Sequence, residues 1–447
     1  MIRKFGAPRR AFVLIAAVAA ILVSATAASA GSSDFNYVPD SVIGPAVALT
    51  VPGFPGVGND CTPLFGTPFT LSCYDPKEMR EAYDVPAPSV LNGAGQTIII
   101  VDAYGDPTIE ADLANFDAFF GLPAPPSFTI FSGSATQTAG IHGASGWAVE
   151  TALDVEWAHA IAPGAKLVLV EAPSSSGNAI NSAEQNVIPN YPGAIISQSF
   201  GLQESAIQGG ANNTQVQQAH DNYEQFAALG DTIVASAGDF GADNATGVNS
   251  PQYPASDPLI TSVGGTQGNP YPLGLCPSGS ARQAAADICS YGGEATWNEP
   301  DFGAATGGAP SLFWSAPSYQ RGVTGLGTRG VPDVGYNAAI NGGVLVVQGP
   351  FIELVGGTSC GAPQWAATFA LVNQARGLSG KAGIGQPNSA LYGIYASRRY
   401  KTDFHDVTVG NNTLAGAPLA GFDAGKGYDL TTGIGTPDVA NLIADLK

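Results

Sequence analysis

Basic residues are scarce in this chain: 17 Lys and Arg stand against 36 Asp and Glu, and charged residues of both signs make up only 12% of its 447 positions. The formal balance of −19 argues against nucleic acid or an anionic membrane surface as a partner, because both attract positive charge. Such a surface suits a protein that stays soluble in mild acid, where carboxylates lose charge and few bases remain to repel one another. Long apolar runs are also lacking. The single candidate, Ala11 to Val23, is short for a membrane span. It follows Arg3, Lys4, Arg9 and Arg10 and precedes Ala28-Ser29-Ala30, the pattern of a secretory signal cleaved after Ala30. Residues 1–30 are therefore expected to be removed, leaving a secreted, extracellular chain with no membrane contact. No zinc-like Cys/His spacing, internal repeat or charge run is present.

Five cysteines occur. In an oxidising compartment Cys61 with Cys73, and Cys276 with Cys289, are the expected local bridges. Cys360 is left over, as a packed residue or as a nucleophile. Residues 31–81 are rich in Gly, Pro and Ser without a sustained period and read as a short, loosely ordered or processed leader. From Gly95 onward the texture changes. GQTIIIVDAYG, AKLVLVEA, AIISQSFG, DTIVASAGDFG and LITSVGGT are short apolar runs ended by Gly, Ser or Asp, with helical patterns between several of them. This alternation predicts an α/β fold with buried parallel strands and crossover helices, and chemistry at the carboxyl ends of the strands. One domain over 82–447 is the economical division, and Asp102, Ser197, Ser199 and Asp239 fall at strand ends.

In GGTSCGAP, Gly356 to Pro363, the small residues permit a tight strand-to-helix turn and place Ser359 where positive helix potential collects. The residue is either an ordinary N-cap or a nucleophile. A nucleophile needs a base. His142 would complete an Asp, His, Ser order with Asp102. Glu150 and Asp154 are rivals, four residues apart on one helical face. The two acids form either a solvated face or a proton-sharing pair able to act as base in acid, where histidine is already charged. Asp239 in SAGDFG is a turn residue or, if protonated, a hydrogen-bond donor to an oxyanion. Near the C-terminus Asp406, Asp429, Gly425 and Gly427 allow two Asx turns or an all-oxygen cation shell.

GGTSCGAPQWA, ETALDVEWAHAIAPGA, VIPNYPGAIISQSFG, VASAGDFGA, YPASDPLITSVGGT and AGKGYDLTTGIGTPD, taken in this order, resemble the sedolisins, the serine-carboxyl peptidases. The resemblance runs from Tyr83 to Lys447. It implies a subtilisin-like, mostly parallel sheet flanked by helices, with a C-terminal calcium-binding loop region, and hydrolysis of protein or peptide substrates at acid pH. By the same match Ser359 is the nucleophile, Glu150 the general base, Asp154 the acid behind it and Asp239 the oxyanion donor. One Ca2+ would be held by the carboxylates of Asp406 and Asp429 and the carbonyls of Val407, Gly425 and Gly427. Tyr428 stands where the family often has tryptophan. A monomer is expected. Sedolisins are commonly made with a large prodomain, whereas here residues 31–81 alone separate signal and peptidase domain, so unaided folding or a short leader is expected. The competing expectations are an inactive sedolisin-like binding protein and a Ser-His-Asp peptidase using His142.

Overall fold

The central feature is an eight-stranded sheet. Its strands run in the spatial order Phe128–Ser132, Lys166–Ala172, Thr97–Ala103, Ile195–Gln198, Thr232–Ser236 and Thr261–Gly268, every neighbouring pair parallel. Val334–Asn337 adds a parallel partner to Thr261–Gly268, and Glu294–Thr296 an antiparallel one. This is a computed structural model; it describes residues 34–49, 61–67, 71–132, 146–244, 246–268 and 293–447. Ser33–Lys447 make one compact unit.

The strand runs are apolar almost throughout because both faces of the sheet are covered. Ile98 and Ile100 join one core, while Ile99 and Val101, pointing the opposite way, join the other. On the first face lie helices Ile109–Phe120, Trp147–Ile161 and Gly361–Leu378; on the second lie Gly177–Val187 and Thr214–Ala228. All residues of Trp147–Ile161 are buried, so this helix is apolar nearly all round and its few acids are enclosed. Gly361–Leu378 is buried along most of its length, and its Gly361 lies so close to the sheet that a Cβ there would meet Val263 and Tyr336.

The expected mostly parallel α/β sheet flanked by helices is thus present. The leader differs from its expectation of loose order. Val38–Pro39 pairs antiparallel with Phe200–Gln203, and Val42–Ala48 pairs antiparallel with Phe351–Gly356. Short segments of this kind have no periodic signature, since they gain strand geometry from a sheet edge supplied by distant residues. Cys61 and Cys73 are bridged. Cys276, Cys289 and His142 lie outside the described residues. Among the described residues no helix is long and apolar enough to cross a membrane.

Candidate active site

The strand Phe351–Gly356 is followed by Gly357, a short 3-10 turn covers Thr358–Cys360, and the helix Gly361–Leu378 comes next. Ser359 therefore sits against the free N–H groups of a long helix. Gly357 has φ +111°, and a Cβ there would strike Asp239 Oδ2 and the carbonyl oxygen of Asp40, so only glycine fits. Cys360 is fully buried with its thiol near the Val355 carbonyl at 3.5 Å, and burial raises its pKa well above the ordinary value. Of its two expected roles, packing is the one this environment allows.

Glu150 and Asp154 project from the Trp147–Ile161 helix and are completely buried, as is Ser359. Glu150 is pushed well above the usual carboxyl range, first by burial and then by Asp154; the hydroxyls of Ser359 and Ser41 facing it act in the opposite sense. Neither Glu150 oxygen makes a hydrogen bond of full geometry, so the carboxyl retains unused donor and acceptor capacity beside the serine. Asp154 accepts from Ser199 Oγ at 2.8 Å, and is raised by burial and next by Asp102. Asp102, at the end of Thr97–Ala103, is raised by burial and then by Glu150. These carboxyls act most strongly on one another. A set of this kind titrates collectively and retains protons far above the pH at which isolated acids lose them.

Asp239 follows the strand Thr232–Ser236 and lies against the turn that carries Ser359. Its Oδ1 accepts from the N–H and the hydroxyl of Thr358, both at 2.7 Å. Its Oδ2 is buried and unpaired and lies against Gly357. Burial, then Asp40, raises its pKa well above the ordinary value. A neutral carboxyl fixed this way can donate toward the space in front of the Ser359 N–H. The Ser359 hydroxyl itself is 3.4 Å from the Ser199 carbonyl. The structure thus brings together Ser359, Glu150, Asp154 and Asp239, with Asp102 and Ser199 from the strand ends. The described histidines are engaged elsewhere: His159 with Pro123 at 2.7 Å and Asp117 at 3.2 Å, His220 with Asp257 at 2.7 Å, and His405 in the short strand Phe404–His405, paired with Thr436.

The chain is similar to kumamolisin of Bacillus sp. (strain MN-32), 32% identical over 381 residues covering 82% of this chain and 62% of the relative. Sedolisin of Pseudomonas sp. (strain 101) is 28% identical over 393 residues, 85% of this chain and 62% of the relative. A solved structure, Pseudomonas sedolisin (serine-carboxyl proteinase) complexed with two molecules of pseudo-iodotyrostatin, superimposes with a TM-score of 0.69 at 29% identity, covering 84% of this chain and 98% of that one. Over most of its length the chain is thus similar to the sedolisins. It spans 62% of the length of each of these two sedolisin relatives. No family model matches it.

The C-terminal loops bring Asp406 and Asp429 to one glycine-rich turn. Gly427 N–H donates to both oxygens of Asp406 at 3.0 Å, and Gly425 N–H donates to Asp429 Oδ2 at 2.9 Å. Asp429 Oδ1 also caps the turn through Thr431 and Thr432 N–H at 2.9 Å each. Among the described residues no three His, Cys, Asp or Glu side chains gather as a metal cluster, so any cation here depends on two carboxylates and backbone carbonyls. Sequence reasoning missed Asp40 and Ser41. Asp40 is fully buried beside Ser236 and Gln252, and Ser41 faces Glu150. Nothing local marks them, because their partners are far away in sequence.

Proposed function

We propose that the protein is a secreted serine-carboxyl peptidase that hydrolyses peptide bonds of protein or peptide substrates in acid, working as a monomer. The observation that carries this reading is the enclosed Glu150 carboxyl facing the Ser359 hydroxyl, backed by Asp154. Ser359 Oγ attacks the substrate carbonyl as its proton passes to Glu150. Asp154, held by Ser199, shares the proton of the pair and so limits the charge that builds at Glu150. The oxyanion meets the Ser359 N–H and the proton of Asp239. Glu150 then protonates the leaving amine, and a water repeats the sequence to release the acyl group. Residues 1–30 act as the signal, 31–81 as the leader and 82–447 as the peptidase domain.

The pH dependence follows from the directions of the shifts. At very low pH the Glu150–Asp154 pair is fully protonated and no base exists. At high pH Asp239 ionises, losing its donor and placing negative charge against the oxyanion. Activity is therefore expected to be bell-shaped with an acid optimum, measurable with a quenched peptide library across pH 2 to 8. A neutral optimum abolished by His142→Ala would establish the Ser-His-Asp alternative. No hydrolysis at any pH would favour a binding protein on this fold.

Asp406, Asp429 and the carbonyls of Val407, Gly425 and Gly427 suit one Ca2+, a hard ion that takes oxygen donors. The fit rests on two carboxylates from separate segments, Asp406 and Asp429, that both accept from the backbone of the Gly425–Gly427 turn. Bound there, the ion would supply structural rigidity and no step of the reaction. Asp429→Ala or chelation is expected to lower the melting temperature by several degrees at pH 5 while leaving the pH profile of hydrolysis unchanged. An unchanged midpoint, with no metal in the purified protein, would remove calcium from the account.

A further inference from the structure

The first face of the sheet receives every second residue of each strand. On Thr97–Ala103 these are Ile98, Ile100 and, by the same alternation, Asp102; on Ile195–Gln198 they are Ile195, Ser197 and, one step past the strand, Ser199. Asp102 and Ser199 therefore come from two strand ends to the Trp147–Ile161 helix, where Asp154 lies completely buried. The two act on it in opposite senses. Burial first, then Asp102 and Asp40, favour the protonated form of Asp154, whereas the Ser199 hydroxyl, donating to Oδ1 at 2.8 Å, favours the ionised one. Asp154 Oδ2 is buried without a hydrogen bond. Glu150 from the same helix and the enclosed thiol of Cys360 also face Asp154. None of these groups is a cation, so the opposing influence comes from the serine.

The backbone around Ser199 is held on both faces of the sheet. Gln198 points to the second face, where its amide donates to Glu184 Oε1 and to the Tyr223 hydroxyl at 3.3 Å. Burial pushes the Glu184 carboxyl up to about 8, so this anchor keeps one protonation state through the acid range. The Ser199 carbonyl accepts from Asp40 N–H at 3.1 Å and lies 3.4 Å from Ser359 Oγ. Ser197, on the same face two residues earlier, is equally buried, yet its hydroxyl makes no hydrogen bond. Of the two enclosed serines, Ser199 is the one that reaches an acid.

Resting on the peptidase reading, we propose that Ser199 is a positioning residue for that reaction: its hydroxyl fixes the Asp154 carboxyl behind Glu150 and sets how acidic the medium can become before the pair stops serving as a base. A hydrogen bond to the charged form of an acid lowers the pH at which that acid loses its proton. Glu150 and Asp154 titrate together, so a donor to either keeps the pair available as base further into acid. Without the hydroxyl the pair holds both protons to a higher pH, and the acid limb of the activity profile moves up. Substrate binding is spared, because the contact that Ser199 makes across the cleft belongs to its backbone carbonyl.

The test is a pH profile of kcat and KM for the parent, Ser199→Ala, Ser199→Thr and Ser197→Ala, joined to infrared titration of protonated buried carboxyls in the same proteins carrying Ser359→Ala. Expected for Ser199→Ala is an acid limb about one pH unit higher, a kcat on that limb lowered roughly tenfold and recovering toward the new optimum, and a KM within about twofold of the parent. Ser199→Thr keeps the hydroxyl and should restore the parental limb, and Ser197→Ala should leave it in place. The infrared titration should move in the same direction with Ser199→Ala alone. An unmoved limb, a loss uniform in pH, an equal shift from Ser197→Ala, or a folded Ser199→Thr protein behaving like Ser199→Ala would overturn the proposal and spare the peptidase reading. Absence of hydrolysis at every pH, with the carboxyl titration still shifted by Ser199→Ala, would overturn the peptidase reading and uphold the hold of Ser199 on the pair.

Discussion

Ser359→Ala is expected to reduce peptide hydrolysis on the order of 10^4-fold or more, with secondary structure and melting temperature close to those of the parent. The size follows from the site. The substitution deletes the hydroxyl that faces Glu150 from the helix start, and the neighbouring Cys360 is enclosed, its thiol kept protonated by burial. The small structural cost follows as well, since the Ser359 hydroxyl makes a long contact to the Ser199 carbonyl at 3.4 Å and otherwise faces Glu150, and an alanine methyl fits a buried helix start. Glu150→Gln should approach the same loss, because the isosteric amide keeps the packing and cannot take the proton. Progress curves with a quenched peptide, alongside circular dichroism, decide the matter; a Ser359→Ala protein retaining even a tenth of the activity would move the nucleophile elsewhere.

Stability is expected to fall steeply as the pH rises from 4 to 8. Burial raises the carboxyl of Asp40 to about 7 and that of Glu184 to about 8, both fully enclosed. Burial also lifts Asp231 to about 7 and Glu204 to about 6. In the unfolded chain these groups ionise near 4. Below that value they are protonated in both states and their contribution is fully present. Between 4 and 8 the folded state holds protons that the unfolded state has released, so each pH unit in that window costs about 1.4 kcal/mol per fully buried group. Two such groups already remove several kcal/mol, and the net charge of −19 adds repulsion of the same sign. The melting temperature of the Ser359→Ala protein, chosen to prevent autolysis, should drop by on the order of 10 °C between pH 4 and pH 8. A midpoint that holds steady or climbs over that range would contradict the burial of these acids.

Some parts of this molecule were readable from the chain alone because the information is local. TIIIVDA, IISQ and TIVAS are apolar, β-branched runs that can only be strands buried on both faces, and their terminal Asp and Ser residues emerge at one edge of the sheet. The spacing of Glu150 and Asp154 places them on one helical face whatever surrounds the helix. Spacing is silent on whether that face meets water. Only the packing of Trp147–Ile161 against the sheet and the Gly361–Leu378 helix encloses both acids, and enclosure is what moves their proton affinities. The same holds for Asp40. In YVPDSVIGP it is one acid among small and apolar residues, and its surroundings come from Ser199, Ser236, Gln252 and Ser359. These partners lie 159 to 319 positions away along the chain. Strand and helix are decided by neighbours in sequence, whereas desolvation and alignment at a cleft depend on which remote segments arrive together, and only the folded chain determines that.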